Sequence, residues 1–271
     1  MENIVFKRKN RFGGLEIRLL SYVQMRRKGV VRCGELRTTL GLAPAQERQL
    51  FSRLARAGTI VRLKREFYLF PPTMPVNGLL CPDSGLVLKE LMKVCGNGQY
   101  QLCGMEAFRC YGFTDQVPNR VDIYNNRLCG DRVIGNLQYR FIKVSDGRLG
   151  GTQKMSMDGS NDIIMPTMAR ALVDAVYDWS RFGTLPAAYQ WIRDSVAKNR
   201  RLADVLADVA CRYGNRGTIR RLGFVLNSLA LRGEWKKRLQ RQLRSESVIP
   251  LVPGRKACGT VNVEWGVIVN E

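Results

Sequence analysis

Gln46, Arg48, Gln49, Ser52, Arg53 and Arg56 crowd one short stretch of the chain, and they are residue types that read nucleic acid. A guanidinium or a primary amide can make two parallel hydrogen bonds to one base edge, and a hydroxyl adds a less selective contact. Slightly further on, Arg62, Lys64 and Arg65 form a compact cationic group suited to phosphate oxygens. Near the other end Arg212, Arg216, Arg220 and Arg221 gather around Gly214-Asn215. Other chemistry is hard to assemble. The chain has no histidine, which excludes Ser-His-Asp triads, Cys-His nucleophiles, imidazole acid–base catalysis and His-ligated zinc.

Eight cysteines (33, 81, 95, 103, 110, 129, 211 and 258) are spread without any C-x-x-C. The closest pair, Cys103 and Cys110, is spaced too widely for a zinc knuckle. Reduced, mostly buried thiols are expected, with no metal and no cofactor. A metal-dependent nuclease needs only carboxylates and a lysine, and Asp115, Asp122, Asp131, Asp158 and Asp162 supply carboxylates. Glu234-Trp235-Lys236 spells the E-x-K of some nucleases, but it borders the helical run Lys237 to Leu243 rather than a strand with an upstream Asp. The glycines of Gly147 to Lys154 have the wrong spacing for a phosphate loop and read as an exposed turn. No catalytic residue is expected.

The charge supports a nucleic-acid partner. The chain of 271 residues carries 44 Lys+Arg against 23 Asp+Glu, a formal net charge of +21, and such an excess favours a polyanion. Its two ends carry it: residues 1–71 hold 16 basic and 5 acidic side chains, residues 196–271 hold 15 and 6, and the middle is nearly neutral. An anionic membrane is the rival partner. The longest apolar runs, such as Leu222 to Leu231, broken by Gly223, Asn227 and Ser228, are far too short to span. Behind Lys7, Arg8, Lys9 and Arg11 the apolar stretch contains Glu16 and Arg18, unlike a secretory signal. A cytoplasmic protein without membrane contact is expected.

The elements that must position these residues follow from periodicity. Leu15, Leu19, Leu20 and Val23 predict an amphipathic helix from Leu15 to Arg27, ended by Lys28-Gly29. A short helix fits Gly34 to Leu40, Gly41-Leu42-Ala43 makes a tight turn, and Pro44 opens a third helix to Ala57. There Glu47, Leu50, Phe51, Leu54 and Ala57 share one face and Ala45, Arg48, Gln49, Ser52 and Arg56 the other, with Gln46 and Arg53 along an edge. Thr59 to Leu63 and Phe67 to Phe70 alternate as a hairpin around Lys64-Arg65-Glu66. This order predicts a winged helix-turn-helix over 1–71, with a recognition helix and a phosphate-contacting wing. The plainer reading is a three-helix unit with a solvated basic face. Pro71, Pro72, Pro75, Asn77 and Gly78 predict a linker over 72–78.

Beyond it, helices near Ser84 to Val94 and Met105 to Tyr111 alternate with strands at Tyr100 to Leu102, Val121 to Tyr124 and Leu137 to Lys143. Asp158 to Ile164 is a strand or loop, and Pro166 opens a helix through Tyr177. The fold class is α+β: an N-terminal winged helix followed by an α/β C-terminal domain, 79–271, whose part 196–271 is helical and basic.

The chain resembles the AbiEi-type antitoxins of bacterial type IV toxin–antitoxin systems. The resemblance is carried by Phe67-Tyr68-Leu69-Phe70-Pro71, by Tyr111-Gly112-Phe113-Thr114-Asp115-Gln116-Val117-Pro118 and by Arg170-Ala171-Leu172-Val173-Asp174-Ala175. Gly214-Asn215 with Arg220 to Leu226, and the ending Asn262 to Asn270, also match. It implies an antitoxin and transcriptional autorepressor, of use in phage defence, that binds inverted repeats in its own promoter as double-stranded DNA. Such a protein opposes a nucleotidyltransferase-like toxin, with or without stable contact, and self-associates on DNA through its C-terminal domain. Thr114, Gln116, Pro118 and Asp174 are expected to be structural, Asp174 as a hydrogen-bonded packing residue. The second basic end is expected to project its arginines outward, toward phosphates or a neighbouring copy. Two alternatives remain: an antitoxin working mainly by toxin contact, and the nuclease.

Overall fold

The computed structural model describes residues 12–73, 78–156, 161–243 and 248–270. Lys7, Arg8, Lys9, Arg11, Pro75, Asn77 and Asp158 lie outside the described residues. The architecture is α+β, and the chain divides into two compact units. One takes the described residues of Met1–Gly98, Arg132–Tyr139 and Asp158–Asn161; the other takes those of Gln99–Asp131, Arg140–Met157 and Asp162–Glu271. Of segment 72–78, expected as a linker, residues 74–77 lie outside the described residues. Just beyond it, Leu80 N–H donates to the Gly58 carbonyl at 2.7 Å.

The first unit begins with α1 (Gly14–Met25), β1 (Val30–Arg32), α2 (Arg37–Leu40) and α3 (Pro44–Arg56). It continues with β2 (Val61–Lys64), β3 (Phe67–Leu69) and α4 (Ser84–Val94). Leu19, Leu20 and Val23 of α1 meet Leu36, Leu40, Leu50, Phe51 and Leu54 in one buried cluster. The turn before α3 uses Gly41 in the left-handed region (φ 65°), and Pro44 stands at the first helical position, where its missing N–H costs nothing. The strands form an antiparallel sheet of order β1-β3-β2, with Val30 opposite Leu69 and Leu69 opposite Val61. β1 was not expected, because a strand this short leaves no alternation to read.

After α4 come β4 (Tyr100–Cys103), α5 (Gly104–Cys110), β5 (Val121–Asn125), β6 (Gly130–Ile134) and β7 (Leu137–Lys143), the strands in a sheet of order β4-β5-β7-β6; Arg132–Tyr139 of β6 and β7 count with the first unit and the rest with the second. A 3-10 turn at Asp146–Arg148 leads to the antiparallel pair β8 (Thr152–Ser156) and β9 (Asp162–Pro166). The expectation of an exposed turn over Gly147 to Lys154 is therefore corrected: Arg148 is buried and Thr152 to Lys154 belong to β8. Pro166 ends β9 instead of opening a helix; Thr167 caps α6 (Met168–Tyr177), its hydroxyl accepting from Arg170 N–H at 3.3 Å.

Next come α7 (Trp179–Phe182), α8 (Ala187–Lys198), α9 (Leu202–Tyr213), α10 (Arg216–Asn227) and α11 (Trp235–Gln240). A last sheet combines β10 (Ile249–Pro250), β11 (Thr260–Asn262) and β12 (Val267–Val269) in the order β10-β12-β11. Leu172, Ile192, Leu206, Leu222, Leu226, Trp235 and Trp265 share the buried cluster of this unit. Among the described residues no helix is long and apolar enough to cross a membrane.

Candidate nucleic-acid interface

Residues 37–56 form a helix-turn-helix, with α3 as its second helix. The inward face of α3 is Glu47, Leu50, Phe51 and Leu54, all buried. That packing leaves Gln46, Arg48, Gln49, Arg53 and Arg56 exposed and Ser52 half-buried on the opposite side. Two of these have an anchor. Gln46 Oε1 accepts from Ala43 N–H at 3.1 Å, closing the helix start, and Arg53 Nη2 lies 3.4 Å from Glu16 Oε1 on α1.

The β2–β3 hairpin is fixed against α3 by aromatic contacts: Phe51 meets Tyr68 edge-on at 4.9 Å and Phe70 at 5.7 Å. Arg62 and Arg65 are exposed on it. Lys64 differs from expectation. It is half-buried over the Phe67 ring (4.7 Å), and its ammonium donates to the Val94 carbonyl at 2.6 Å, at the end of α4. It holds the C-terminus of a helix, a favoured place for a cation.

Glu47 carries no grease but sits wholly inside. Its Oε2 accepts from Gly34 N–H (2.7 Å), Arg37 Nε (2.9 Å) and the Cys33 thiol (3.6 Å). Burial, then the Glu47 charge, pushes the Cys33 thiol above its ordinary value. The sequence had flagged Glu47 only as a member of the apolar face. A carboxylate there required a cation, and Arg37 in the preceding helix was the one within reach.

The second basic end is sorted by burial. Arg212 and Arg216 are exposed, but Arg220 and Arg221 are buried, which corrects the expectation that all four project outward. α10 is buried around most of its circumference, so arginines beside Leu222 cannot all reach solvent. Arg221 turns inward and donates to the Pro250 carbonyl from Nε (3.3 Å) and Nη2 (3.2 Å). Burial draws its pKa down.

Asp174 is buried and takes hydrogen bonds from two guanidinia, Arg170 on the preceding turn and Arg148 from the 3-10 turn. Arg170, fully buried, also donates to the carbonyls of Gly150 (3.0 Å) and Arg148 (2.8 Å). Its guanidinium lies 4.1 Å from the Tyr213 ring centre, and that of Arg148 lies 3.9 Å from Tyr177. Asp174 thus has the packing role expected of it, in a network the sequence had not revealed. Thr114 Oγ1 accepts from Gln116 N–H at 3.2 Å within the loop that precedes Pro118, and Phe113 stacks on Trp191.

Among the described residues the carboxylates considered for a nuclease do not converge, and Asp158 lies outside them. Asp122 is held by Arg140 through two bonds of 2.7 Å and by Arg120 at 3.4 Å, and Trp235 of the E-x-K fragment is buried. Among the described residues no three Cys, Asp or Glu side chains are grouped to hold a metal ion. The thiols are free, but Cys103 alone is buried, while Cys81, Cys129 and Cys258 are exposed, so the expectation of mostly buried thiols is corrected.

Residues 18–71 match the family model described as transcriptional regulator, AbiEi antitoxin, and so bear out the resemblance over this segment. Among solved structures, that of the RV2827C protein from Mycobacterium tuberculosis superposes with a TM-score of 0.61 at 16% identity, over 95% of this chain and 92% of that one. At this identity the likeness is one of fold. No curated protein matches the chain.

Proposed function

We propose that this protein is a DNA-binding antitoxin and transcriptional autorepressor, acting in the cytoplasm without catalytic turnover or cofactor. Its N-terminal part works as a winged helix-turn-helix on inverted repeats of its own promoter, and the protein opposes a nucleotidyltransferase-like toxin. The observation that carries this reading is the outer face of α3, where Arg48, Gln49, Arg53 and Arg56 stand exposed on a helix whose other face is locked into the core. The match of residues 18–71 to an antitoxin regulator family supports it. Arg62 and Arg65 are its wing contacts, and Arg212 and Arg216 remain as candidates for phosphate or neighbour contacts at the other end.

The test is titration of the full chain against its own upstream duplex and a scrambled duplex of equal length. The upstream duplex should bind tighter. Arg48→Ala or Gln49→Ala should cost about 1–3 kcal/mol and relax the preference at one base pair. Equal affinity for both duplexes, unchanged when Gln46, Arg48, Gln49, Ser52 and Arg53 are all replaced, overturns the reading. Tight binding to purified toxin in that case would favour the toxin-contact alternative.

A further inference from the structure

Arg37 lies off the recognition face, yet it is one of the most firmly oriented cations of the helix-turn-helix. Its Nε meets the wholly buried Glu47 carboxylate at 2.9 Å. A buried carboxylate is costly unless paired, so folding of this unit fixes a guanidinium at this spot. Gly34, in the left-handed region at φ 103°, donates its N–H to the same Glu47 oxygen at 2.7 Å and so holds the carboxylate beside Arg37. A Cβ there would make ordinary contacts of 3.6–3.8 Å with Arg37 Nη2, Cζ and Nε, so the guanidinium lies over this turn. The side chain of Arg37 nevertheless remains 39% exposed. A guanidinium held by its Nε presents its two Nη groups as a pre-oriented pair of donors, a geometry that suits two oxygens of one phosphate.

The position fits that use. Arg37 is the first residue of α2, and Glu47 sits at the first turn of α3. In a helix-turn-helix the first helix crosses the phosphate backbone while the second enters the major groove. A freely moving surface arginine would lose rotamer freedom on binding a phosphate; Arg37 has already been ordered by folding. We propose that Arg37 contacts a backbone phosphate of duplex DNA and that Glu47 is its positioning residue. This inference rests on the DNA-binding reading above.

Arg37→Gln removes the charge but keeps an N–H donor for Glu47. In the full chain it should weaken the upstream and scrambled duplexes by the same factor, leave their ratio unchanged, and flatten the slope of log K against log salt by about one unit. Glu47→Gln keeps the charge of Arg37 and loosens its hold. Weaker duplex binding supports positioning, whereas equal or tighter binding overturns it. The parent protein supplies a measurement independent of folding: labelling with an arginine-selective dicarbonyl, read by peptide mass spectrometry. Saturating duplex should protect Arg37. Full labelling of Arg37 in the complex, or a folded Arg37→Gln variant with the parent's affinity and salt slope, overturns the proposal. If the parent binds no duplex at all, the DNA-binding reading itself falls. If Arg48→Ala weakens binding while Arg37 stays labelled, only the phosphate contact falls.

Discussion

Asp174 lies one helical turn after Arg170, and Arg170 Nε is 3.0 Å from both of its carboxylate oxygens. Arg148 reaches the same carboxylate from the 3-10 turn, so one buried negative charge serves two buried cations. Burial draws the pKa of Arg170 down; at Arg148 burial is again the largest influence, but the charge and hydrogen bond of Asp174 together with Tyr124 and Tyr177 overcome it and raise the pKa.

Asp174→Asn should therefore be among the most damaging single changes in the second unit. It leaves two desolvated guanidinia without a counter-charge, a loss of about 3–5 kcal/mol. Urea unfolding followed by far-UV circular dichroism measures it. A loss below about 1 kcal/mol would show that the tyrosine faces and carbonyls hold the arginines unaided.

Alkali should weaken the same region. The Cys103 thiol and the Tyr124 phenol are both held well above their ordinary values of 9.0 and 10.0, first by burial and then by nearby carboxylates. A folded-state pKa raised above the unfolded one contributes stability that is present below the ordinary value and is lost as pH rises beyond it. The urea midpoint should fall steadily above about pH 9, and Cys103→Ala should remove part of that fall. Under native conditions Cys81, Cys129 and Cys258 should react with a thiol reagent, Cys33 slowly, and Cys103 only on unfolding.

The hairpin residues should separate by effect. Arg65→Ala should flatten the salt slope of duplex binding by about one unit. Lys64→Ala should leave that slope alone and lower stability by about 1–3 kcal/mol, since it removes a charged donor from the Val94 carbonyl. A reduced salt slope with Lys64→Ala would return this lysine to the phosphate contacts.

Charge reversal at the second basic end should divide in the same way. Arg221→Glu places a carboxylate against the Pro250 carbonyl and should cost more than about 3 kcal/mol. Arg216→Glu, on the exposed start of α10, should cost clearly less stability than Arg221→Glu and act on duplex affinity or cooperativity. Thermal melts beside operator titrations distinguish the two.

Much of the helix-turn-helix was legible because each local signal pointed the same way. Gly41 and Pro44 marked the turn and the helix start, and the spacing of Leu50, Phe51 and Leu54 fixed the buried face of α3. The signals that failed were tertiary. Nothing near Lys64 announces the Val94 carbonyl thirty residues on, and nothing near Arg221 announces Pro250. The Arg148–Asp174–Arg170 network joins a turn and a helix across a β-hairpin, and only the i,i+4 half of it was open to sequence reasoning. β1 and β6 were missed because their partners, β3 and β7, define them more than their own residues do.

Trp265 is seated on Gly223: a Cβ on that glycine would come within 2.1–2.6 Å of the indole ring. The notch in α10 is thus cut for a side chain that is synthesised some forty residues later. While the chain is being made, α6 to α11 emerge before the indole that fills their shared core, and the notch stands open to water until the final sheet arrives. Folding of the second unit therefore waits on the segment that carries Trp265, and a nascent chain stalled between α11 and β11 would present its helical core to the chaperones and proteases around the ribosome.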